Sequence, residues 1–234
     1  MQPKLVTFDC ANTLIWTDWQ PHTFAVRCAG IAGIVLPRGA AEKYLELFIA
    51  KLPEFWLVNQ RRDLLAWREF WVQQVADWLG VLGIRDRDPL ELHMIGEKEI
   101  FQAPSQTFKL FDDALATVRQ IREMGIKVAV LSNWDHSLHK CLEGHGLGGE
   151  FDAVFASLEH GVEKPDPKFF KIALDHFGVS PSECFHVGDD RVDDLEGAKS
   201  AGIPVALLDR AHFRLEKPVI TSLNQLKEAF EWYA

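Results

Sequence analysis

The chain has 234 residues, of which 47% are hydrophobic and 25% are charged. This balance is ordinary for a soluble globular protein, so we expect a sizeable core. The formal net charge of −9 argues against nucleic acid or an anionic membrane as a partner. No apolar run approaches the length of a membrane span, and the N-terminus lacks the regions of a signal peptide. We therefore expect a cytoplasmic protein, whose four widely spaced cysteines are free thiols.

The first predicted element is a short buried strand over Leu5–Phe8, with Asp9 directly after it. From residue 16 to residue 102 the pattern becomes helical, with no clear strand. One amphipathic face is formed by Leu64, Trp67, Trp71, Val75 and Trp78, at spacings of three and four residues. Asp63 is the predicted N-cap of this helix and Gly80 its predicted end. The segment is predicted to form a small helical bundle.

Beyond residue 103, predicted strands and helices alternate. The strands are KVAVLS (127–132), FDAVFAS (151–157), CFHVGDD (184–190) and PVALL (204–208), and the helices span 112–124, 136–145, 167–177 and 195–201. Such alternation is typical of a parallel sheet with crossover helices. We predict an α/β fold: a Rossmann-like parallel sheet core of residues 1–15 and 103–234, with an inserted all-helical domain at 16–102.

Polar side chains follow the predicted strands, at the ends where open α/β sheets bind their ligands. They are Asp9, Ser132 with Asn133, Lys164, and Asp189 with Asp190. Asp9 can be a nucleophile or a metal ligand, and Asp189 adds a second hard oxygen suited to Mg²⁺. Ser132 and Asn133 can donate hydrogen bonds to phosphate oxygens, whose charge Lys164 can neutralise. The sequence thus predicts one anion and metal site at one sheet edge.

The motifs on these segments resemble those of the haloacid dehalogenase-like hydrolases, in the subfamily with a helical cap inserted just after the first strand. They are FDCANTL (8–14), VLSNWD (130–135), EKPDPKFF (163–170) and HVGDDRVDDLEGAKSAGI (186–203). The resemblance covers essentially the whole chain. It implies a hydrolase whose cap, here 16–102, closes over the cleft and selects the substrate.

The resemblance also implies residue roles. Asp9 would be the catalytic nucleophile that forms an aspartyl intermediate, and Ser132 and Lys164 would bind the transferring group. The implied ligands of Mg²⁺ are Asp9, the backbone carbonyl of Ala11 and Asp189, with Asp194 in support. We expect a small-molecule anionic substrate, in keeping with these roles.

Ala11 departs from the family pattern, because the phosphatases of this family carry an aspartate two residues after the nucleophile. That aspartate serves as general acid and then general base, which is worth about 10²–10⁴ in rate. A methyl group can do neither. We therefore predict a weak Mg²⁺-dependent phosphatase that acts on a small phosphorylated metabolite.

Three alternatives fit the missing carboxylate. Haloacid dehalogenases also lack it, but they need no metal, and Asp189 and Asp190 count against that chemistry. A phosphonate hydrolase that carries alanine here forms an imine with a cap lysine, for which Lys43 and Lys51 are candidates. A third alternative is a non-catalytic protein that binds a metal and an anion on the same fold.

Other groups lie near the motifs and could replace the missing acid. Cys10 is expected to pack on the opposite face of its strand. His136 and His139 have the spacing of a metal pair but no third ligand in sequence, and are expected to face solvent. His186 is expected to be a satisfied core histidine, and Trp134 to lie at the cleft mouth.

Overall fold

The computed structural model describes residues 2–61, 63–211 and 217–233. The chain divides into two compact units: one consists of residues up to Thr17 together with those from Lys109 onward, and the other spans Asp18–Phe108. The first unit is called the α/β unit below and the second the helical unit. That the helical unit is an inserted cap stays a prediction.

The strands are β1 Leu5–Phe8, β2 Ile15–Thr17, β3 Phe108–Leu110, β4 Lys127–Ser132, β5 Ala153–Ala156, β6 Cys184–Gly188, β7 Val205–Leu208 and β8 Val219–Ile220. The helices are α1 Pro21–Ile31, α2 Ala40–Ala50, α3 Leu52–Gln60, α4 Leu64–Val81, α5 Pro89–Phe101, α6 Ala114–Glu123, α7 Leu138–Gly144, α8 Ser157–His160, α9 Pro167–Phe177, α10 Gly197–Ser200 and α11 Leu226–Phe230. A π-helical turn over Arg191–Glu196 leads directly into α10.

A six-stranded parallel sheet in the order β5-β4-β1-β6-β7-β8 forms the centre of the α/β unit. The predicted α/β class with a parallel sheet is therefore confirmed. In the central strands Phe8 is level with Val130 of β4 and Val187 of β6. The carboxyl ends of these three strands consequently lie side by side, and the residues that follow them meet at one edge.

Side chains alternate between the two faces of the sheet. Leu5, Thr7 and Asp9 therefore share one face of β1. That face is covered by a buried apolar cluster that includes Leu5, Leu131, Phe155, Phe169, Phe170, Cys184, Leu195 and Val205. Burying a side chain of this size stabilises the fold by about 1.5–3 kcal/mol. The cluster fixes α9 against the sheet beneath the residues of the carboxyl edge.

The helical unit contains the predicted aromatic face. Trp78 is fully buried, and its Nε1–H donates to the Ala40 carbonyl at 2.7 Å. Trp71 stacks on Phe48 with ring centroids 5.5 Å apart. The Asp63 side chain caps α4, as predicted, by accepting from the amides of residues 65 and 66. Trp67, Val75 and Trp78 of the predicted face are buried in the core of the unit, but Leu64 is 48% exposed, so its place on this face is wrong.

The predicted end of this helix at Gly80 is wrong, because α4 continues to Val81. Gly83 adopts the left-handed φ of 73°, which a glycine tolerates without strain, and its amide donates to the Gly80 carbonyl. The chain turns at this second glycine.

All four cysteines are free, as predicted, and all four are buried. Within the described part of the chain, no helix has the length and apolarity needed to cross a membrane.

Candidate active site

Asp9 lies at the carboxyl end of β1 with 6% of its surface exposed. Its Oδ1 accepts hydrogen bonds from the Ser132 hydroxyl at 2.9 Å and from Lys164 Nζ at 2.6 Å. None of the described residues donates to its Oδ2. Burial raises the pKa of Asp9 and the Lys164 charge opposes that rise. One carboxylate oxygen is thus held in place while the other is available to attack an electrophile.

Lys164 is buried at 3% exposure, and its Nζ lies 2.6 Å from Asp9 Oδ1 and 2.6 Å from Asp194 Oδ1. Burial alone would lower the pKa of Lys164, but attraction to the two carboxylates outweighs it and raises the pKa above its ordinary value. Lys164 is therefore a permanent cation beside the candidate nucleophile.

Asn133 fixes the backbone of Lys164. Its Oδ1 accepts from the Lys164 amide at 2.8 Å, and its Nδ2 donates to the Lys164 carbonyl at 2.9 Å and to Asp193 Oδ2 at 3.0 Å. The side-chain amide of Asn133 has no N–H left for a phosphate oxygen, since both are used within the protein. The contacts favour a positioning role over the predicted substrate contact.

Three carboxylates converge at this edge: oxygens of Asp9, Asp189 and Asp194 lie within 4.8 Å of one another. The pKa of Asp189 is raised to about 7 by burial and by repulsion from Asp9 and Asp194. The Thr13 hydroxyl donates to Asp189 Oδ1 at 3.2 Å. Clustered hard oxygens that repel one another suit a small divalent cation such as Mg²⁺.

The backbone carbonyl of Ala11 fits the same donor set, because none of the described residues donates a hydrogen bond to it. The turn around it is held by the amides of Leu14 and Ile15, which both donate to the Cys10 carbonyl at 2.9 Å. Asn12 adopts a left-handed φ of 56°, a conformation that asparagine tolerates better than most residues. Its Oδ1 accepts from the Thr17 amide at 3.1 Å, so Asn12 stabilises the turn.

Both oxygens of the Asp194 carboxylate accept hydrogen bonds. Oδ1 accepts from Lys164 Nζ and from His186 Nε2, and Oδ2 accepts from the Asp190 amide at 2.9 Å. Burial would raise the pKa of Asp194, but the Lys164 charge and the His186 hydrogen bond hold it well below its usual range. Gly188 makes room for this arrangement, since a Cβ there would lie 2.1 Å from Asp194 Cγ.

The structure brings Asp9, Ala11, Ser132, Asn133, Lys164, Asp189 and Asp194 to the same edge of the α/β unit. Asp190 is instead an N-cap, and accepts from the amides of residues 192 and 193. Sequence reasoning had no role for Thr13 and had not paired His186 with Asp194. The polar Thr7 in an otherwise apolar strand was the available signal for a buried partner.

The other residues named near the motifs are buried or form contacts within the protein. Cys10 is buried, and burial raises the pKa of its thiol far above the ordinary value, as expected for a packing residue. His136 Nδ1 and His139 Nε2 both contact Glu159 Oε1, at 2.7 and 2.9 Å. The His136 side chain is only 11% exposed, so the expectation that it faces solvent is wrong. The Trp134 indole donates to Ser137.

The two lysines considered for an imine lie in the helical unit. Lys43 pairs with Glu46 at 2.7 Å, and Lys51 pairs with Asp77. The Lys43 pair is an ordinary exposed ion pair, whereas the Lys51 pair is partly buried.

Comparison with known proteins places this geometry in a family. The family model described as haloacid dehalogenase-like hydrolase matches residues 3–202. The chain belongs to this family of hydrolases. Among its relatives is haloacid dehalogenase-like hydrolase domain-containing protein 3 of Danio rerio, which is 34% identical over 207 residues, covering 88% of this chain and 85% of that protein.

A second relative of this hydrolase is a phosphoserine phosphatase of Thermus thermophilus, 35% identical over 136 residues, or 56% of this chain and 54% of that one. Among solved structures, the 2-haloacid dehalogenase of Pseudomonas syringae aligns over 100% of both chains with a TM-score of 0.69 and 23% identity. A phosphatase of the family from Thermococcus onnurineus aligns over 96% of both chains with a TM-score of 0.63 and 22% identity. At these identities the structures show the shared fold alone.

Proposed function

We propose that this hydrolase is a Mg²⁺-dependent phosphatase that acts on a small phosphorylated metabolite through a covalent phosphate on Asp9. The observation that carries the proposal is the nucleophile itself: Oδ1 of Asp9 is held by Ser132 and Lys164, while Oδ2 accepts no hydrogen bond from the described residues. The phosphatases among the relatives support the same reaction class.

The residue roles follow from the contacts. Asp9 Oδ2 attacks phosphorus as the bond to the leaving oxygen breaks, and Lys164 offsets charge on the phosphoryl oxygens. Asp9, Asp189 and the Ala11 carbonyl would hold Mg²⁺, with Asp194 in support, and the ion would supply further positive charge there. Asn133 positions Lys164 through its backbone.

The alanine at position 11 determines which leaving groups should react fast and how slowly the intermediate should be hydrolysed. Because no carboxyl group stands at this position, the leaving oxygen departs without a proton from it, and water attacks the aspartyl phosphate without its help. Aryl and acyl phosphates have good leaving groups and should phosphorylate Asp9 faster than sugar phosphates do. Phospho-Asp9 should accumulate, because its hydrolysis lacks a base.

The test is the burst of alcohol released as Asp9 is phosphorylated by an aryl phosphate or by an alkyl phosphate with Mg²⁺, in the natural protein and in Asp9→Asn. We expect a burst with the aryl ester that is absent in Asp9→Asn and is suppressed when a chelator removes Mg²⁺, and a much slower burst with the alkyl ester. Equal rates for the two esters would contradict the role given to Ala11. Turnover that survives Asp9→Asn would contradict the covalent mechanism.

A second candidate is a protein that binds a metal and a phosphate ester without turnover, which Ala11 specifically favours. Calorimetry separates the two candidates. Mg²⁺-dependent binding of a phosphate ester, with no product after hours, would support the binding protein. The retained pairing of Asp9 with Lys164 favours catalysis.

A further inference from the structure

His186 lies in the middle of β6 and is fully buried. Its backbone is in register with Thr7 of β1, and the Thr7 hydroxyl lies 2.9 Å from His186 Nδ1. Nε2 lies 3.0 Å from Asp194 Oδ1, and the ring packs edge-on against Phe170 with centroids 5.1 Å apart. Core packing explains why His186 is buried. Its ring also connects Thr7, inside β1, to Asp194, the carboxylate that holds Lys164.

The partners fix which ring nitrogen carries the proton. Asp194 Oδ1 already accepts from the Lys164 ammonium, and an ionised carboxylate can only accept, so His186 Nε2 must be the donor. Nδ1 lies 2.9 Å from the Thr7 hydroxyl, which can donate to it. Cys184 Sγ, 3.9 Å from that hydroxyl, is a thiol that can donate to it in turn. A proton on Nε2 satisfies the contact with Asp194, while the Thr7 hydroxyl holds Nδ1.

The Asp194 carboxylate is therefore held at both oxygens. Oδ1 receives His186 and Lys164, and Oδ2 receives the Asp190 amide. Without the His186 N–H, Oδ1 would be directed by Lys164 alone, and only the Asp190 amide on Oδ2 would oppose rotation of the carboxylate about its Cβ–Cγ bond. The Lys164 ammonium would move with it, away from its place 2.6 Å from Asp9 Oδ1.

We propose that His186 is a positioning residue of the hydrolytic site: its Nε2–H orients Asp194, which in turn sets the Lys164 ammonium against Asp9. Thr7 selects the required tautomer. The role rests on the proposed function, because the group being positioned is the cation beside the nucleophile. Partners that orient a site from one layer behind it are typically worth ~10–100-fold in activity.

Three variants test the role. His186→Gln keeps an N–H near the position of Nε2, whereas His186→Leu removes it at similar volume. Thr7→Val keeps the shape of residue 7 and removes the hydroxyl that selects the tautomer. His176→Leu, at an exposed position of α9, is the matched histidine control. Thermal unfolding followed by circular dichroism checks that each variant is folded.

The kinetic measurement is the rate of Asp9 phosphorylation by an aryl phosphate in rapid-quench experiments. We expect His186→Leu to lower this rate by ~10–100-fold with KM changed by less than about threefold, and His186→Gln to recover most of the loss. Thr7→Val should fall between them. An unchanged rate in folded His186→Leu, or equal losses in the Gln and Leu variants, would reduce His186 to a packing residue.

A second measurement needs no activity. Long-range ¹H–¹⁵N spectra of the natural protein should show the Nε2–H tautomer of His186, and the Lys164 ammonium resonance should shift in His186→Leu but not in His186→Gln. A different tautomer, or an unmoved Lys164 resonance, would overturn the role. If the natural protein never phosphorylates Asp9, the proposed function fails, and these spectra still decide whether His186 positions Asp194 and Lys164.

Discussion

Lys164 is buried between two carboxylates, with Nζ 2.6 Å from both Asp9 and Asp194. The two carboxylates stabilise the Lys164 ammonium, and the ammonium in turn stabilises the two buried carboxylates. Removing one member of such a group leaves uncompensated charge in a low-dielectric interior. Lys164 therefore contributes to folding as well as to the proposed chemistry.

Lys164→Met tests both contributions. We expect unfolding in urea to show a loss of stability of about 3–5 kcal/mol, because Asp9 and Asp194 lose their shared partner. The rate of Asp9 phosphorylation by an aryl phosphate should fall by at least ~100-fold. Lys171→Met removes an exposed pair with Asp175 and should cost less than about 0.5 kcal/mol. Similar stability losses in the two variants would contradict the structural role of Lys164.

The raised pKa of Asp189 makes the stability of the folded protein depend on pH in a predictable direction. Its pKa is raised to about 7 in the protein, so between about pH 4 and pH 7 the folded state binds more protons than the unfolded state. Ionising Asp189 therefore costs stability as the pH rises through this range. Mg²⁺ requires the ionised form, so its stabilising effect should grow over the same range.

The comparison of the natural protein with Asp189→Asn isolates this group. Without metal, the stability of Asp189→Asn relative to the natural protein should rise between pH 4 and pH 8. With Mg²⁺ at pH 8 the order should reverse, because only the natural protein has the ligand. Thermal unfolding at both pH values, with and without Mg²⁺, measures this. A difference between the two proteins that stays constant with pH would contradict the raised pKa.

At the scale of single elements, the turn after β6 determines where the acidic side chains point. The sequence predicts a helix from residue 195, but the helical turns begin at Arg191, because Asp190 caps the amides of residues 192 and 193. The first turns are π-helical, with the Leu195 amide donating to the Asp190 carbonyl. π-turns are frequent at functional sites. This one directs Asp193 to Asn133 and Asp194 to Lys164.

This turn requires a residue without a side chain at position 188. In Gly188→Ala the added Cβ would meet Asp194 Cγ at 2.1 Å, so the carboxylate or the turn must shift. We expect a stability loss of about 1–3 kcal/mol and a loss of Mg²⁺-dependent stabilisation. Gly80→Ala is the control, because a Cβ there meets nothing within 4 Å and should stabilise α4 by about 0.5–1 kcal/mol. Unchanged Mg²⁺ binding in Gly188→Ala would contradict the tight fit.

Most individual elements follow from local pattern. Apolar runs predicted β1 and β4 to the residue, and α9 begins and ends at the predicted Pro167 and Phe177. The short strands β2, β3 and β8 were not predicted, because segments of two or three residues carry no periodic signal. The partners chosen by Asn133, Thr13 and His186 depend on segments distant in sequence, so local pattern could not assign them.

At the scale of the whole molecule, topology assembles the site. Positions 9, 132 and 189 meet because β1, β4 and β6 are parallel neighbours whose carboxyl ends are level, and the segment between α8 and α9 brings Lys164 to the same edge. The order of these residues along the chain was therefore enough to predict that they meet at one sheet edge. It was not enough to predict their individual hydrogen bonds. The site carries three clustered carboxylates and one buried lysine in a protein of net charge −9. An anionic substrate is expected to need a cation at this position.

The most direct test of the proposed phosphatase is a rapid-quench time course with an aryl phosphate and Mg²⁺, on the natural protein and on Ala11→Asp side by side. We predict a stoichiometric burst of phospho-Asp9 that stalls in the natural protein. Ala11→Asp should restore turnover by ~10²–10⁴-fold, the usual worth of general acid–base catalysis. If neither protein forms phospho-Asp9 or product, phosphoryl transfer from monoesters is the wrong chemistry for this site.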